Sequence, residues 1–171
     1  NLSGGAGGVA SGFVSSGKRG KGLAFDDVDD FVNVSNPSSV NFNQQDFSME
    51  AWVKIINVSS GGIIVGKSNE DLATRQYTMG YTASGTLSTE VRNGVMVEVC
   101  VSPVGVRAVA DGSWHHVVVT VDDSGTGTTC RGYVDGTYDF SVSSANRVGS
   151  SNANLLIGRR EVKFLEDWFS L

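Results

Sequence analysis

Apolar and polar residues alternate through most of this chain. Phe47, Met49, Ala51, Val53 and Ile55 are interleaved with Ser48, Glu50, Trp52 and Lys54. A period of two sends successive side chains to opposite faces of an extended strand, and the 3.6-residue period of an amphipathic helix hardly occurs. The pattern predicts strands over 47–56, 62–66, 76–81, 85–92, 95–101, 114–121, 130–134 and 154–157. Turn signals separate them: Ser60-Gly61-Gly62, Ser84-Gly85, Asn93-Gly94, Asp111-Gly112 and Asp135-Gly136, where glycine or asparagine supplies positive φ. Many short strands joined this way imply an all-β sandwich or barrel.

The pattern also assigns faces. Trp52 shares a side with Glu50 and Lys54, which suits a residue covering a core edge. Val117, Val118 and Val119 form an unbroken apolar run, as expected of a strand buried on both sides. In 95–101 the valines take one face and Met96, Glu98 and Cys100 the more polar one, whereas Cys130 sides with Gly132 and Val134 toward the core. The two cysteines form one bridge or remain free thiols, and this opposite facing argues against the bridge. His115 and His116, adjacent on a strand, point to opposite faces and cannot readily share one metal ion, so both are read as structural. Asp135 is read as a turn acceptor.

Composition narrows the classes. At 171 residues with 40% hydrophobic and 18% charged residues, the chain is the size of one folded domain. No internal repeat or boundary divides it, and residues 1–16, with Gly4, Gly5, Gly7, Gly8 and Gly12, read as a flexible lead-in or a loosely pinned first strand. A net charge of -5 gives no field favouring nucleic acid or an anionic membrane. Lys18, Arg19 and Lys21 are the one local basic run and read as a solvated strand approach. No apolar stretch nears the ~20 residues of a bilayer span, so no membrane insertion is expected. The start at Asn1, without a recognisable signal peptide, suggests a processed or excised product.

The order of the motifs adds a family. Gly20-Lys-Gly-Leu-Ala-Phe-Asp-Asp-Val-Asp-Asp-Phe-Val-Asn-Val34, Phe47-Ser-Met-Glu-Ala-Trp-Val-Lys54, Ile64-Val-Gly-Lys67, Gly112-Ser-Trp-His-His-Val-Val-Val-Thr-Val-Asp122, Tyr133-Val-Asp-Gly136 and Leu155-Leu-Ile-Gly158 follow one another. The series resembles the laminin-G-like jelly rolls of the concanavalin A-like lectin/glucanase superfamily over about residues 17–160. The resemblance implies a two-sheet antiparallel jelly-roll sandwich, extracellular or surface-exposed, serving recognition or adhesion.

The chemistry-bearing feature is Phe25-Asp26-Asp27-Val28-Asp29-Asp30-Phe31, an acidic turn between two short strands. It is either plain turn chemistry or the lip of a calcium site, since calcium takes six to eight oxygen ligands. Asp27 stands where the family block usually has glycine, which leaves Asp26, Asp29 and Asp30 as candidate ligands. The resemblance implies help from an acidic residue near the C-terminal strand. Glu166 and Asp167 stand there, and Asp167 is taken as the fourth ligand.

Catalytic signatures are absent from the sequence. A retaining glycosidase needs two carboxylates about 5 Å apart, and the Glu-x-Asp-x-x-Glu spacing that the superfamily uses does not occur. Glu90 and Glu98 stand isolated, and neither G-x-S-x-G nor H-E-x-x-H is present. The expected function is a non-catalytic extracellular recognition module whose partner is a glycan or surface protein. Tyr77, Tyr81, Arg75, Asn93 and Trp168 are its candidate contacts. The alternative is a self-assembling structural subunit or decoration of a surface layer, filament or virion.

Overall fold

The structure, a computed structural model, describes residues 2–3, 12–14, 16–25, 30–56, 61–68, 74–101 and 105–160. Its strands are β1 (Leu2–Ser3), β2 (Gly12–Val14), β3 (Gly22–Ala24), β4 (Phe31–Val34), β5 (Phe47–Lys54), β6 (Gly62–Lys67), β7 (Tyr77–Tyr81), β8 (Leu87–Arg92), β9 (Glu98–Val101), β10 (Trp114–Asp123), β11 (Thr128–Val134), β12 (Thr137–Ser144) and β13 (Leu155–Arg160). A seven-stranded sheet in the order β1-β4-β13-β6-β7-β8-β9 faces a four-stranded sheet in the order β12-β11-β10-β5, with β2 and β3 forming a separate ribbon. Every pairing is antiparallel. This is the two-sheet jelly-roll sandwich. Part of the glycine-rich lead-in is strand, because Leu2 pairs with Val32 and Phe13 with Leu23.

The core lies between the sheets. Met49, Val117, Val119, Val121, Val134 and Phe140 enter it from the four-stranded sheet, and Tyr77, Met79, Leu87 and Val91 from the other. Alternation holds along β10, so Val117 and Val119 are buried while Val118 and Thr120 are half-buried on the outer side. The valine run is therefore buried on one face only, because the neighbouring strands turn polar and aromatic side chains outward beside Val118. Trp52 likewise stands on the outer side, 37% exposed, and covers no core edge. Two glycines allow close packing: a Cβ on Gly132 would lie 2.2 Å from the Phe140 ring, and one on Gly158 (φ +72°) 2.5 Å from the Phe25 ring. Phe31, on the far side of the acidic turn, lies under the Arg159 guanidinium at 5.3 Å. Both phenylalanines thus pack against β13.

Three local readings change. The strand expected over 95–101 begins only at Glu98, because the Asn93 side chain accepts hydrogen bonds from the Val95 and Val97 N–H groups at 3.0 and 3.1 Å. Met96 then takes φ 70°, and turn chemistry displaces the ladder. A register shift follows between Val91 and Arg92, so Val99 and Cys100 are both buried. Cys100 consequently faces the core and is bridged to Cys130 on the opposite sheet, with Cα atoms 6.3 Å apart. The inference against a bridge failed because it assumed unbroken alternation. Finally, β12 is a strand that the apolar pattern does not show. It is an edge strand whose outward positions are Tyr138, Ser141 and Ser143.

A buried lysine supports the loops. Lys67 is fully buried, and its Nζ donates to the Ala153 carbonyl at 2.7 Å and to Asn36 Oδ1 at 3.1 Å. Burial lowers its pKa, since desolvation penalises the ammonium.

Candidate functional site

Of the proposed calcium ligands only Asp30 lies within the described residues; Asp26, Asp29 and Asp167 lie outside them. Asp30 is buried and already engaged with other groups of the chain. Among the described residues no three His, Cys, Asp or Glu side chains converge as a metal site would require.

The proposed contact residues divide. Tyr77 is 2% exposed and donates its hydroxyl to the Val40 carbonyl at 2.9 Å. Its ring packs against Phe42 and Phe47, and burial pushes its pKa up to about 12. Tyr81 packs against the same core. Asn93 is committed to its own loop, and Trp168 lies outside the described residues. These tyrosines failed as contacts because their strand parity turns them inward, opposite Val91 and Leu87.

Arg75 stands on the outer side of the seven-stranded sheet, within an ion network. Its Nη1 pairs with Glu90 Oε2, its Nε donates to Ser68 Oγ at 3.2 Å, and Arg92 Nε pairs with Glu90 Oε1. Arg92 Nη2 also lies 3.4 Å from Glu98 Oε1. Glu90 and Glu98, isolated in sequence, are therefore neighbours through Arg92. Thr78 and Leu156, on the same side of this sheet, are buried.

The outer face of the four-stranded sheet has the opposite character. Strand register sets Trp52 beside His116, then Glu50, Val118, Tyr133 and Tyr138 in one row across all four strands, then Ser48, Thr120, Arg131 and Ser141 in the next. The Trp52 and His116 rings lie 5.1 Å apart, and Lys18 Nζ sits 5.1 Å from the Trp52 centroid. Tyr133 and Tyr138 meet edge to face at 6.1 Å. Such pairs hold aromatic surfaces in fixed orientation at modest cost. Tyr138 remains 55% exposed. The sequence carried half of this signal, since Trp52, Glu50 and Lys54 share one parity. Tyr138 was hidden in the unread edge strand.

At one end of this face, two of the turns converge on His115. Its Nδ1 lies 2.7 Å from Asp135 Oδ2 and its Nε2 3.1 Å from Asp111 Oδ1. Asp135, at φ 52° in the hairpin turn, also accepts the His116 N–H at 2.8 Å through its other oxygen, and its own N–H donates to the His116 carbonyl at 2.8 Å. Asp111 Oδ1 accepts the Ser113 N–H at 2.7 Å. Burial pulls the His115 pKa down, but hydrogen bonds to Asp135 and Asp111 and their charges outweigh it, so the imidazole is held above its usual value. The Asp135 carboxyl is lowered, first by the His116 N–H and then by His115; Asp111 is lowered by the Ser113 N–H and then by His115. An imidazolium donating from both nitrogens fits this clasp.

The family model described as the concanavalin A-like lectin/glucanases superfamily, Laminin_G_3, matches residues 26–170. No curated protein matches the sequence. Among solved structures, HCR/D-Sa-GBL1/C is similar with a TM-score of 0.53 at 12% identity, over 70% of this chain and 29% of that one. The Emp47p carbohydrate recognition domain gives 0.46 at 15% identity, over 68% and 64% of the two chains. The botulinum neurotoxin type G receptor binding domain gives 0.46 at 12%, over 78% and 40%. This chain thus spans less than two thirds of the length of each of the three, and likeness at such identities concerns the fold. With a family match over most of its length and the two-sheet architecture to go with it, the chain belongs to the concanavalin A-like lectin/glucanase superfamily.

Proposed function

We propose that this domain is a non-catalytic recognition module that binds glycan on the outer face of its four-stranded sheet. The observation that carries this reading is the cluster of Trp52, His116, Tyr133 and Tyr138, half-exposed or exposed among hydroxyl and charged side chains on one sheet face. Sugars offer weakly polar C–H faces that suit aromatic rings, and hydroxyls that suit carboxylate, guanidinium and hydroxyl partners. A bridged Cys100–Cys130 pair supports an extracellular setting, because disulfides persist in oxidising compartments.

Calcium at Asp26, Asp29, Asp30 and Asp167 is a separate proposal. Asp30 precedes β4 in the other sheet, so a cation there would act on stability rather than on the aromatic face. A glycan array read with and without EDTA tests the first idea, and melting curves with and without EDTA test the second. We expect saturable binding that survives the chelator, while a calcium-loaded turn would show as an EDTA-induced fall in Tm. A silent array overturns the glycan reading. The exposed Val95, Met96, Val97, Val101 and Val106 favour the second reading, a self-assembling structural subunit. A silent array together with concentration-dependent sedimentation would establish it.

A further inference from the structure

We infer that the ligand of this face is an internal stretch of an extended, uncharged polysaccharide, lying across the strands from Trp52 to Tyr138, rather than a terminal sugar held in a pocket. The inference rests on the glycan reading above and adds to it a ligand class, a direction and a length. The shape of the face comes first. Its residues belong to paired strands of one sheet, and the row from Glu50 through Val118 and Tyr133 to Tyr138 crosses it without interruption. Strands about 4.8 Å apart with a rise of about 3.4 Å per residue place Trp52 and Tyr138 about 16 Å from one another. That span is several sugar residues long. The two aromatic groups, Trp52 with His116 and Tyr133 with Tyr138, mark its ends.

Charge selects the class. Glu50 and Asp122 stand beside Lys18, Lys54 and Arg131, and neither sign is left to dominate: Arg131 Nη1 lies 3.7 Å from Asp122 Oδ2, and His116 Nε2 lies 3.5 Å from Glu50 Oε2. A polyanion such as a uronate chain would meet both carboxylates, and the single basic charge in excess of them is Lys18, already held over the Trp52 ring. Aliphatic surface is scarce, since Val118 is the one aliphatic side chain in these rows and is itself half-buried. A protein partner or a lipid surface would instead be matched by an apolar centre depleted of charge. The rows beyond the aromatics are hydroxyl-rich, with Ser48, Thr120 and Ser141 in one and the Thr129 Oγ1 to Ser143 Oγ contact at 2.9 Å in the next. Neutral alcohols of this kind exchange hydrogen bonds with sugar hydroxyls without demanding a charged ligand.

The test is calorimetric titration of the intact chain with di- to hexasaccharides of neutral, equatorially linked series (cello-, manno-, xylo- and chito-oligosaccharides) and with oligouronates of the same lengths. The expected result is that at least one neutral series gains about tenfold or more in affinity from the disaccharide to the hexasaccharide. Trp52→Ala and Tyr138→Ala should each remove most of that gain with the fold retained by circular dichroism; Tyr138, on an edge strand and 55% exposed, is the variant safer for folding. Equal affinity for short and long chains, or tighter binding of the oligouronates, overturns this inference and leaves the glycan reading standing. Binding that neither variant alters removes the ligand from this face. Silence of every sugar, on the titrations and on a broad array, brings down the glycan reading as well.

Discussion

The outer faces of the two sheets make opposite use of their polar groups. On the seven-stranded sheet Glu90 is gripped by Arg75 and Arg92, and their side chains are only 11–17% exposed. Small and buried residues, Gly66, Thr78 and Gly80, run beside them. On the four-stranded sheet the ion pairs are long, at 3.5 and 3.7 Å, and the aromatic side chains are half-exposed or exposed. A partly buried network that satisfies itself holds a surface together. Groups left with unused bonding capacity and exposed ring faces are what a ligand engages. The difference teaches that charge density alone is a poor guide to a site. The strongest ion pairs here belong to the face less suited to binding.

The severest way to break this contrast is to cut the covalent joint between the sheets. Cys100 and Cys130 are 30 residues apart in sequence, so a Cys100→Ala/Cys130→Ala variant should lose about 3–4 kcal/mol on the chain-entropy argument. Urea unfolding measures it, and a loss under about 1 kcal/mol would show that packing alone holds the sheets in register. Next in size is Glu90→Gln. It leaves two largely buried guanidinium groups facing a neutral amide, and a cost of about 2–3 kcal/mol is expected because Arg75 loses its counter-charge and Arg92 keeps only the more distant Glu98. Glycan binding should be unchanged in the same protein. If Glu90→Gln abolishes binding and leaves stability intact, the roles of the two faces are reversed.

Sequence reasoning found most of the sandwich because alternation is strong where one face is buried. Phe47 to Val53 shows it directly, and glycine-bearing turns punctuate the rest, whereas Val118 hid it in the run from Val117 to Val119. It failed where a local hydrogen bond broke the period. Asn93 draws Val95 and Val97 out of the ladder, and the facing assigned to Cys100 in the same stretch fails with it. It also failed to tell one face from the other. Period two separates Trp52 from Val53 but does not say which side meets water, and Tyr77, tyrosine though it is, has the inward parity while Tyr138 has the outward one. The His115 clasp was illegible for a different reason. Asp111 and Asp135 were each read correctly as turn residues, yet their convergence depends on the pairing of β10 with β5 and β11, a relation between segments that no local pattern contains. The acidic stretch supplied a fold marker, Phe25 and Phe31 against β13, while two of its three proposed calcium ligands, and Asp167 with them, lie outside the described residues.

The smallest effect expected is on pH dependence, and it probes the end of the proposed binding face. His115 has a folded-state pKa raised above the ordinary 6.5, so the folded chain holds that proton more tightly than the unfolded one. Its contribution is therefore fully present below about pH 6.5 and is lost as pH rises through the folded value. Asp111 and Asp135 are lowered from 3.8; their contributions are present above that value and are lost only as pH falls through the folded ones. Between pH 6 and 8.5 the carboxylates stay ionised in both states, so the slope in this window that His115→Ala removes belongs to the histidine. Relative to His115→Ala, the wild-type protein should be more stable at the lower pH by about 0.5–1 kcal/mol, the scale of a partly exposed ion pair. Melting curves across the window measure this difference, and parallel curves for the two proteins would show that the clasp is neutral at every pH tested. Because Asp135 also holds the His116 backbone N–H at 2.8 Å, loosening the clasp reaches the Trp52–His116 pair. Affinity for a long neutral oligosaccharide should weaken slightly over the same window in the wild-type protein and stay flat in His115→Ala.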